Sequence, residues 1–226
     1  MMNREYLLED FRDDHPQGAT PLRRSILIGT MLGDSHVKKG RGSVKVEQKE
    51  RDYAQWLFDQ LNPFCTHGGV KRTSRLHRQT GVESFAYRFY TRSHFRSLRT
   101  IFYDDHATPP RKRVPREIEP YFDEVALAVF IMDDGYKASQ TDGALALTLD
   151  GYDRLSEGPL LQAMLWNRFQ LEPSVQMNGR SRSGRSQWKL YFGADQYDRL
   201  HRLISPTISQ VPVMATKKLS IVRQAP

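Results

Sequence analysis

Leu127-Ala128-Val129-Phe130-Ile131-Met132-Asp133-Asp134-Gly135-Tyr136-Lys137 is the stretch whose reading decides the fold. An unbroken apolar run, Leu127 to Met132, meets two carboxylates, and Gly135 comes directly after them. Locally this reads as the last turns of a buried helix closed by Gly135 as a left-handed C-cap. The acids stand where they are least favoured. A helix C-terminus carries partial negative charge, so each acid there loses roughly 0.3–1 kcal/mol. A neighbouring cation, most simply a bound metal, would turn that cost into a site. Asp-Gly after a helix is also an ordinary turn, so one such stretch decides little alone.

Working outward, a second copy lies upstream. Thr20-Pro21 supplies an N-cap and a proline at the first helical position. The next segment carries Ile26, Leu27, Ile28, Met31 and Leu32, with Gly29 and Gly33 four apart and Asp34 at the end. Glycines at that spacing share a helix face and permit close approach of another helix. The order of elements after each acid also repeats. After Asp34 come an alternating strand (Ser43 to Gln48), a helix (Asp52 to Leu61), a basic hairpin returning through Ser84 to Arg92, a helix (Arg96 to Tyr103) and the basic segment Arg111 to Pro115. After Asp134 come a strand (Ala144 to Leu149), a helix (Tyr152 to Phe169), a basic hairpin returning through Gln187 to Phe192, a helix (Ala194 to Ile204) and Pro212 to Lys218. The acids are 134 − 34 = 100 positions apart. The reading is an α+β fold: a tandem α-β-β-α-β-β-α duplication with halves at 21–118 and 119–226, preceded by an N-terminal arm over 1–20.

Composition narrows the function. The 226 residues are 38% apolar, with 11 Phe, 10 Tyr and 3 Trp, enough for a packed core. Lys plus Arg exceed Asp plus Glu by 34 − 26 = 8, which points to a polyanionic partner, nucleic acid before membrane. Cys65 is the only cysteine; it excludes an internal disulfide and a Cys-rich zinc site and suits a reducing, intracellular compartment. No apolar run approaches the ~20 residues of a membrane span. The N-terminus is too acidic for a signal or transit peptide. None of the seven histidines has metal-ligand spacing.

Ile28-Gly29-Thr30-Met31-Leu32-Gly33-Asp34-Ser35-His36 and Leu127 to Gly135 resemble the two signature helices of the LAGLIDADG homing endonucleases, in their single-chain, two-motif branch. The Met-Asp-Asp-Gly ending, Lys137, the basic-Lys-basic-Val-Pro segment and the C-terminal Pro-x-Met-x-x-Lys match family positions; Thr216 departs from a usual aromatic. The resemblance implies that the signature helices pack at a pseudo-twofold axis, and that two antiparallel sheets form a saddle in a DNA major groove, which accepts a two-stranded ribbon. It implies metal acids at Asp34 and Asp134, with Asp133 a supporting acid, and Mg²⁺ (Mn²⁺ as substitute) shared between them. Lys112 and Lys217 match its basic residues beside the scissile phosphates, with Lys218 competing for the second place. Gln48, beside Glu47, matches a polar position next to the metal, with Thr148 or Asp150 as counterpart. Lys45, Arg88, Arg92, Gln187, Lys189 and Tyr191 are implied as base or phosphate readers, and Arg72, Arg75, Arg180, Arg182 and Arg185 as phosphate holders at hairpin tips.

The implied activity is a metal-dependent double-strand break in a long, non-palindromic site by a monomeric, intron-encoded enzyme of a bacterial cytoplasm or organelle. Three alternatives keep the fold. An RNA maturase assisting splicing of its intron would use the same basic surface, but does not need Asp34 and Asp134. A DNA-binding regulator would carry an added helix-turn-helix region, and an intein-borne domain would carry splicing motifs.

Overall fold

The computed structural model describes residues 20–40, 42–76, 81–92, 95–108, 110–138, 143–149, 151–181, 184 and 186–219. The N-terminal arm therefore lies outside the described residues, apart from Thr20. The first half runs α1 (Pro21–Leu32), β1 (His36–Val37), β2 (Val44–Gln48), α2 (Arg51–Leu61), β3 (Lys71–Leu76), β4 (Glu83–Tyr90) and α3 (Arg96–Phe102). A small ribbon, β5 (Tyr103–Asp104) with β6 (Arg111–Lys112), leads onward. The second half runs α4 (Glu124–Asp134), β7 (Gly135–Lys137), β8 (Leu145–Thr148), α5 (Glu157–Phe169), β9 (Ser174–Arg180), β10 (Ser186–Phe192) and α6 (Tyr197–Ile208), with α7 (Pro212–Lys218) appended. Each half builds a four-stranded antiparallel sheet of the same order, β1-β2-β4-β3 and β7-β8-β10-β9. The fold class is the duplicated α+β arrangement expected.

Local chemistry starts both central helices. Thr20 Oγ1 accepts the Arg23 N–H at 3.4 Å with Pro21 behind it, and Asp123 Oδ1 accepts the Ala126 N–H at 2.9 Å. Asp123 also takes the Ser25 hydroxyl at 2.5 Å, tying the start of α4 to α1. Ala126 to Met132 are all buried, so α4 is the molecule's central post. Burying each large apolar chain there is worth roughly 1.5–3 kcal/mol over leaving it exposed. α1 packs along α4, and the small residues set the distance. A Cβ on Gly29 would stand 2.6 Å from the Ala126 carbonyl and 2.6 Å from Val129 Cβ, so only glycine fits.

The structure corrects three expectations. Gly135 is not a left-handed cap: its φ is −77° and ψ 150°, and the chain leaves α4 directly into β7. Glycine is still required, because a Cβ would meet the Ile131 carbonyl at 2.6 Å. α5 starts at Glu157 rather than Tyr152, since Asp153 first collects the N–H groups of Leu155 and Ser156 in a turn. α6 runs to Ile208 rather than Ile204, passing through Pro206.

Candidate active site

Two-residue periodicity decides which sheet residues face outward. On β2, Val44, Val46 and Gln48 are buried while Lys45 and Glu47 are half-buried on the other face. Across the ladder Glu47 stands opposite Arg88 and Lys45 opposite Tyr90; Lys71 stands opposite Arg88 and Arg75 opposite Ser84. The outer face of the first sheet is therefore Lys45, Glu47, Arg88, Tyr90, Lys71 and Arg75. Arg72 alternates away from it, its guanidinium 3.7 Å from the Phe85 ring centroid, which corrects its grouping with Arg75. Glu47 gathers the cations of that face: Arg88 Nε donates to it at 2.5 Å, Arg75 reaches its other oxygen, and Lys45 lies at 3.4 Å. Burial would raise the Glu47 carboxyl, but the Arg88 hydrogen bond and the three charges outweigh it and hold it below its ordinary value. Arg92, at the sheet's far end, donates Nε to the Cys65 carbonyl at 3.2 Å.

In the second sheet Lys189 stands opposite Thr148 and Gln176, and Tyr191 opposite Ala146. Leu190 and Phe192 alternate inward. Lys189 lies 5.7 Å from the Tyr191 ring centroid. Gln187 sits in the register shift between Ser186 and Trp188, and Arg180 closes β9 opposite Ser186. Arg182, Arg185 and Asp150 lie outside the described residues.

The two signature acids converge where α1 and α4 end. Asp34 lies two residues past α1, and Asp134 is the last residue of α4. Asp133 stands between them in charge: burial, then Asp34, then Asp134 push its carboxyl far above the ordinary carboxylate range. Asp34 is raised as well, by burial, against the lowering charges of Lys112, Lys218 and Lys49. Asp133 accepts the Asp34 N–H at 3.0 Å, Gln48 Nε2 at 2.9 Å and the Tyr53 hydroxyl at 2.8 Å. Gln48 thus reaches the centre through Asp133. A cleft of about 560 Å³ opens here, lined among others by Asp34, Asp133, Gln48, Glu47, Lys217 and Lys218.

Two ammonium groups dress the helix ends. Lys112 donates to the carbonyls of Gly33 and, at 2.9 Å, Ser35. Burial lowers it to about 8, against the raising pull of Asp134, Asp133 and Asp34. Lys218 donates to the Gly135 carbonyl and is likewise lowered by burial. Lys217 points elsewhere, its ammonium paired with Glu50. The negative ends of α1 and α4 are thus met partly by cations of the chain itself.

Sequence reasoning missed the tyrosines. Tyr53 is fully buried against Asp133, and the Tyr152 hydroxyl donates to the Leu32 carbonyl at 2.5 Å. They lie downstream of the acids by 53 − 34 = 19 and 152 − 134 = 18 positions, a near-repeat that a half-against-half comparison would have flagged.

The donor set is carboxylate oxygen, and among the described residues no group of three or more His, Cys, Asp or Glu forms a metal cage. The Asp34 and Asp133 carboxyls, which burial holds above their usual range, suit the neighbourhood of a hard divalent cation that completes its shell with water and phosphate oxygens. Asp34, just past α1, and Asp134, at the end of α4, could supply carboxylate oxygens to it.

Two sheets of identical order, joined by a packed helix pair with acids at its end, define a duplicated, two-motif protein. Residues 24–200 match the LAGLIDADG DNA endonuclease family, and the chain belongs to it. The chain is 24% identical over 205 residues to the cytochrome b mRNA maturase bI2 of Saccharomyces cerevisiae, covering 85% of this chain and 46% of that protein. It thus spans less than half the length of that relative. The protein of the same name from Debaryomyces hansenii is 24% identical over 202 residues, covering 85% of this chain and 71% of that one. In fold the chain is similar to the homing endonuclease I-WcaI bound to its DNA recognition sequence, with a TM-score of 0.77 and 22% identity over 98% of this chain and 100% of that one.

Proposed function

We propose that this chain is a metal-dependent, site-specific endonuclease that makes a double-strand break in a long, non-palindromic DNA. The observation that carries this reading is the convergence of Asp34 and Asp134 on Lys112 and Asp133, each helix end dressed by one half-buried lysine, beside sheet faces that carry Lys45, Arg75, Arg88 and Lys189. A pure binding module gains nothing from repelling carboxylates at its core. With Mg²⁺ (or Mn²⁺) bound, the site would supply an activated water and charge stabilisation at the leaving 3′ oxygen. Lys112 and Lys218 stand as donors toward the charge that develops on each phosphate. Lys218 takes the place that the motif alone gives to Lys217, because its ammonium meets the Gly135 carbonyl as that of Lys112 meets the Ser35 carbonyl. Gln48 steadies the centre through Asp133. On the sheets, Lys45, Arg75, Arg88, Gln187 and Lys189 face the groove, and the halves 21–118 and 119–226 each serve one half-site of a single protein monomer.

A second reading, splicing assistance to intron RNA, is favoured by the maturase relatives. The deciding experiment cleaves a randomised duplex library with Mg²⁺, beside Ca²⁺ and beside Asp34→Asn and Asp134→Asn. Breaks at one long sequence, lost in both variants while binding persists, support the endonuclease. Tight binding without cleavage by the unmutated protein sinks it, and structured intron RNA becomes the substrate to try.

A further inference from the structure

The two candidate metal acids are mounted differently. Asp134 belongs to α4, and the next N–H, that of Gly135, closes the helix on the Ile131 carbonyl. Asp34 has left its helix. The N–H groups on either side still reach back, Gly33 to the Gly29 carbonyl at 3.0 Å and Ser35 to the Thr30 carbonyl at 2.9 Å. The N–H of Asp34 itself turns across the helix pair to Asp133 Oδ2 at 3.0 Å. The other oxygen of Asp133 takes Gln48 and Tyr53, so all three of these donors come from the first half. The position related to Asp133 by the 100-residue repeat is Gly33, which has no side chain to return the favour to Asp134. Nor can it acquire one: a Cβ on Gly33 would stand 2.3 Å from Asp133 Oδ2.

We propose that Asp133 is a positioning residue for Asp34, so that the cut on the strand served by Asp34 depends on the Asp133 side chain more than the cut on the other strand does. This rests on the endonuclease reading above. A ligand-bearing backbone hung on one side chain is set by that side chain, and small misplacements of a reacting group cost rate steeply, up to about 100-fold for 1 Å. A structural acid at the helix interface would instead support both centres alike.

The test measures nicking of each strand separately, on an end-labelled duplex carrying the selected target with Mg²⁺. The ratio of the two strand rates in the unmutated protein is the reference. Asp133→Asn, which keeps the side chain's shape, should slow one strand by roughly 10- to 100-fold and the other far less, so that the ratio changes by that factor. Tyr53→Phe, which removes one donor and leaves the carboxylate, should shift the ratio the same way by a smaller factor, and it carries the test where Asp133→Asn fails to fold. Variants that slow both strands with the ratio unchanged, or that slow neither, overturn the proposal. No cleavage by the unmutated protein overturns the endonuclease reading itself, an outcome distinct from either.

Discussion

Lys112 shows how much one side chain here depends on its surroundings. Its ammonium is tucked, half-buried, against the end of α1, and the loss of solvent holds it at about 8, below the ordinary lysine value of 10.5. A depressed lysine means that the unfolded chain binds the proton more tightly than the folded one. Stability should therefore rise with pH across the window from about 8 to 10.5, where the unfolded lysine is charged and the folded one is not. At 1.36 kcal/mol per unit the gain is roughly 3 kcal/mol. Lys112→Met lacks a titrating group, so the stability difference between unmutated protein and variant should move toward the unmutated protein as pH climbs through that window. Denaturant melts at several pH values check it; a difference flat in pH would mean that the ammonium is solvated. In cleavage, the same variant should lose about 100- to 1,000-fold, the usual cost of one donor aimed at developing charge.

At the scale of elements, the helix pair and the first sheet make separate claims. Gly29→Ala forces a Cβ to within 2.6 Å of the Ala126 carbonyl, and overpacking of this kind costs about 1–3 kcal/mol. For a chain of this size a thermal melt should fall by roughly 2–4 °C per kcal/mol; an unchanged melting temperature would show that the helices can part without cost. On the sheet, Glu47→Gln releases Lys45, Arg75 and Arg88 from their shared carboxylate. Binding to random-sequence duplex should tighten, and the slope of log affinity against log salt should steepen by about one phosphate contact. A salt titration monitored by fluorescence anisotropy reads both. These elements were legible to different degrees in the amino-acid order. The helix pair was readable because glycine spacing, an apolar run and a terminal acid are local signals, and the repeat of that pattern gave Asp34 and Asp134 equivalent places at the two helix ends. The Glu47 clamp and the placing of Arg72 were not, because a strand's two faces separate only once its ladder partners are known. Lys217 and Lys218 are adjacent in sequence, and only the orientation of α7 sends one to Glu50 and the other to Gly135. Residue type alone makes Gly135 look like a left-handed cap, whereas a carbonyl behind it is what demands glycine.

At the scale of the whole molecule, two sheets of one topology carry different outer faces. Lys45, Glu47 and Arg88 in the first correspond by ladder position to Ala146, Thr148 and Lys189 in the second. Surfaces so unlike cannot read the same half-site, so the DNA recovered from a library selection should be asymmetric about its centre; a perfect inverted repeat would contradict this. The contact between Gly33 and Asp133 carries the matter further. A second half paired with another copy of itself would bring two Asp133 carboxylates to the same spot at the helix interface. A first half paired with itself would leave a hole there, with both Asp34 amides unsatisfied. At this spot the two repeats are complementary to each other and not to themselves, so a homodimer made from either half alone would have to repack it.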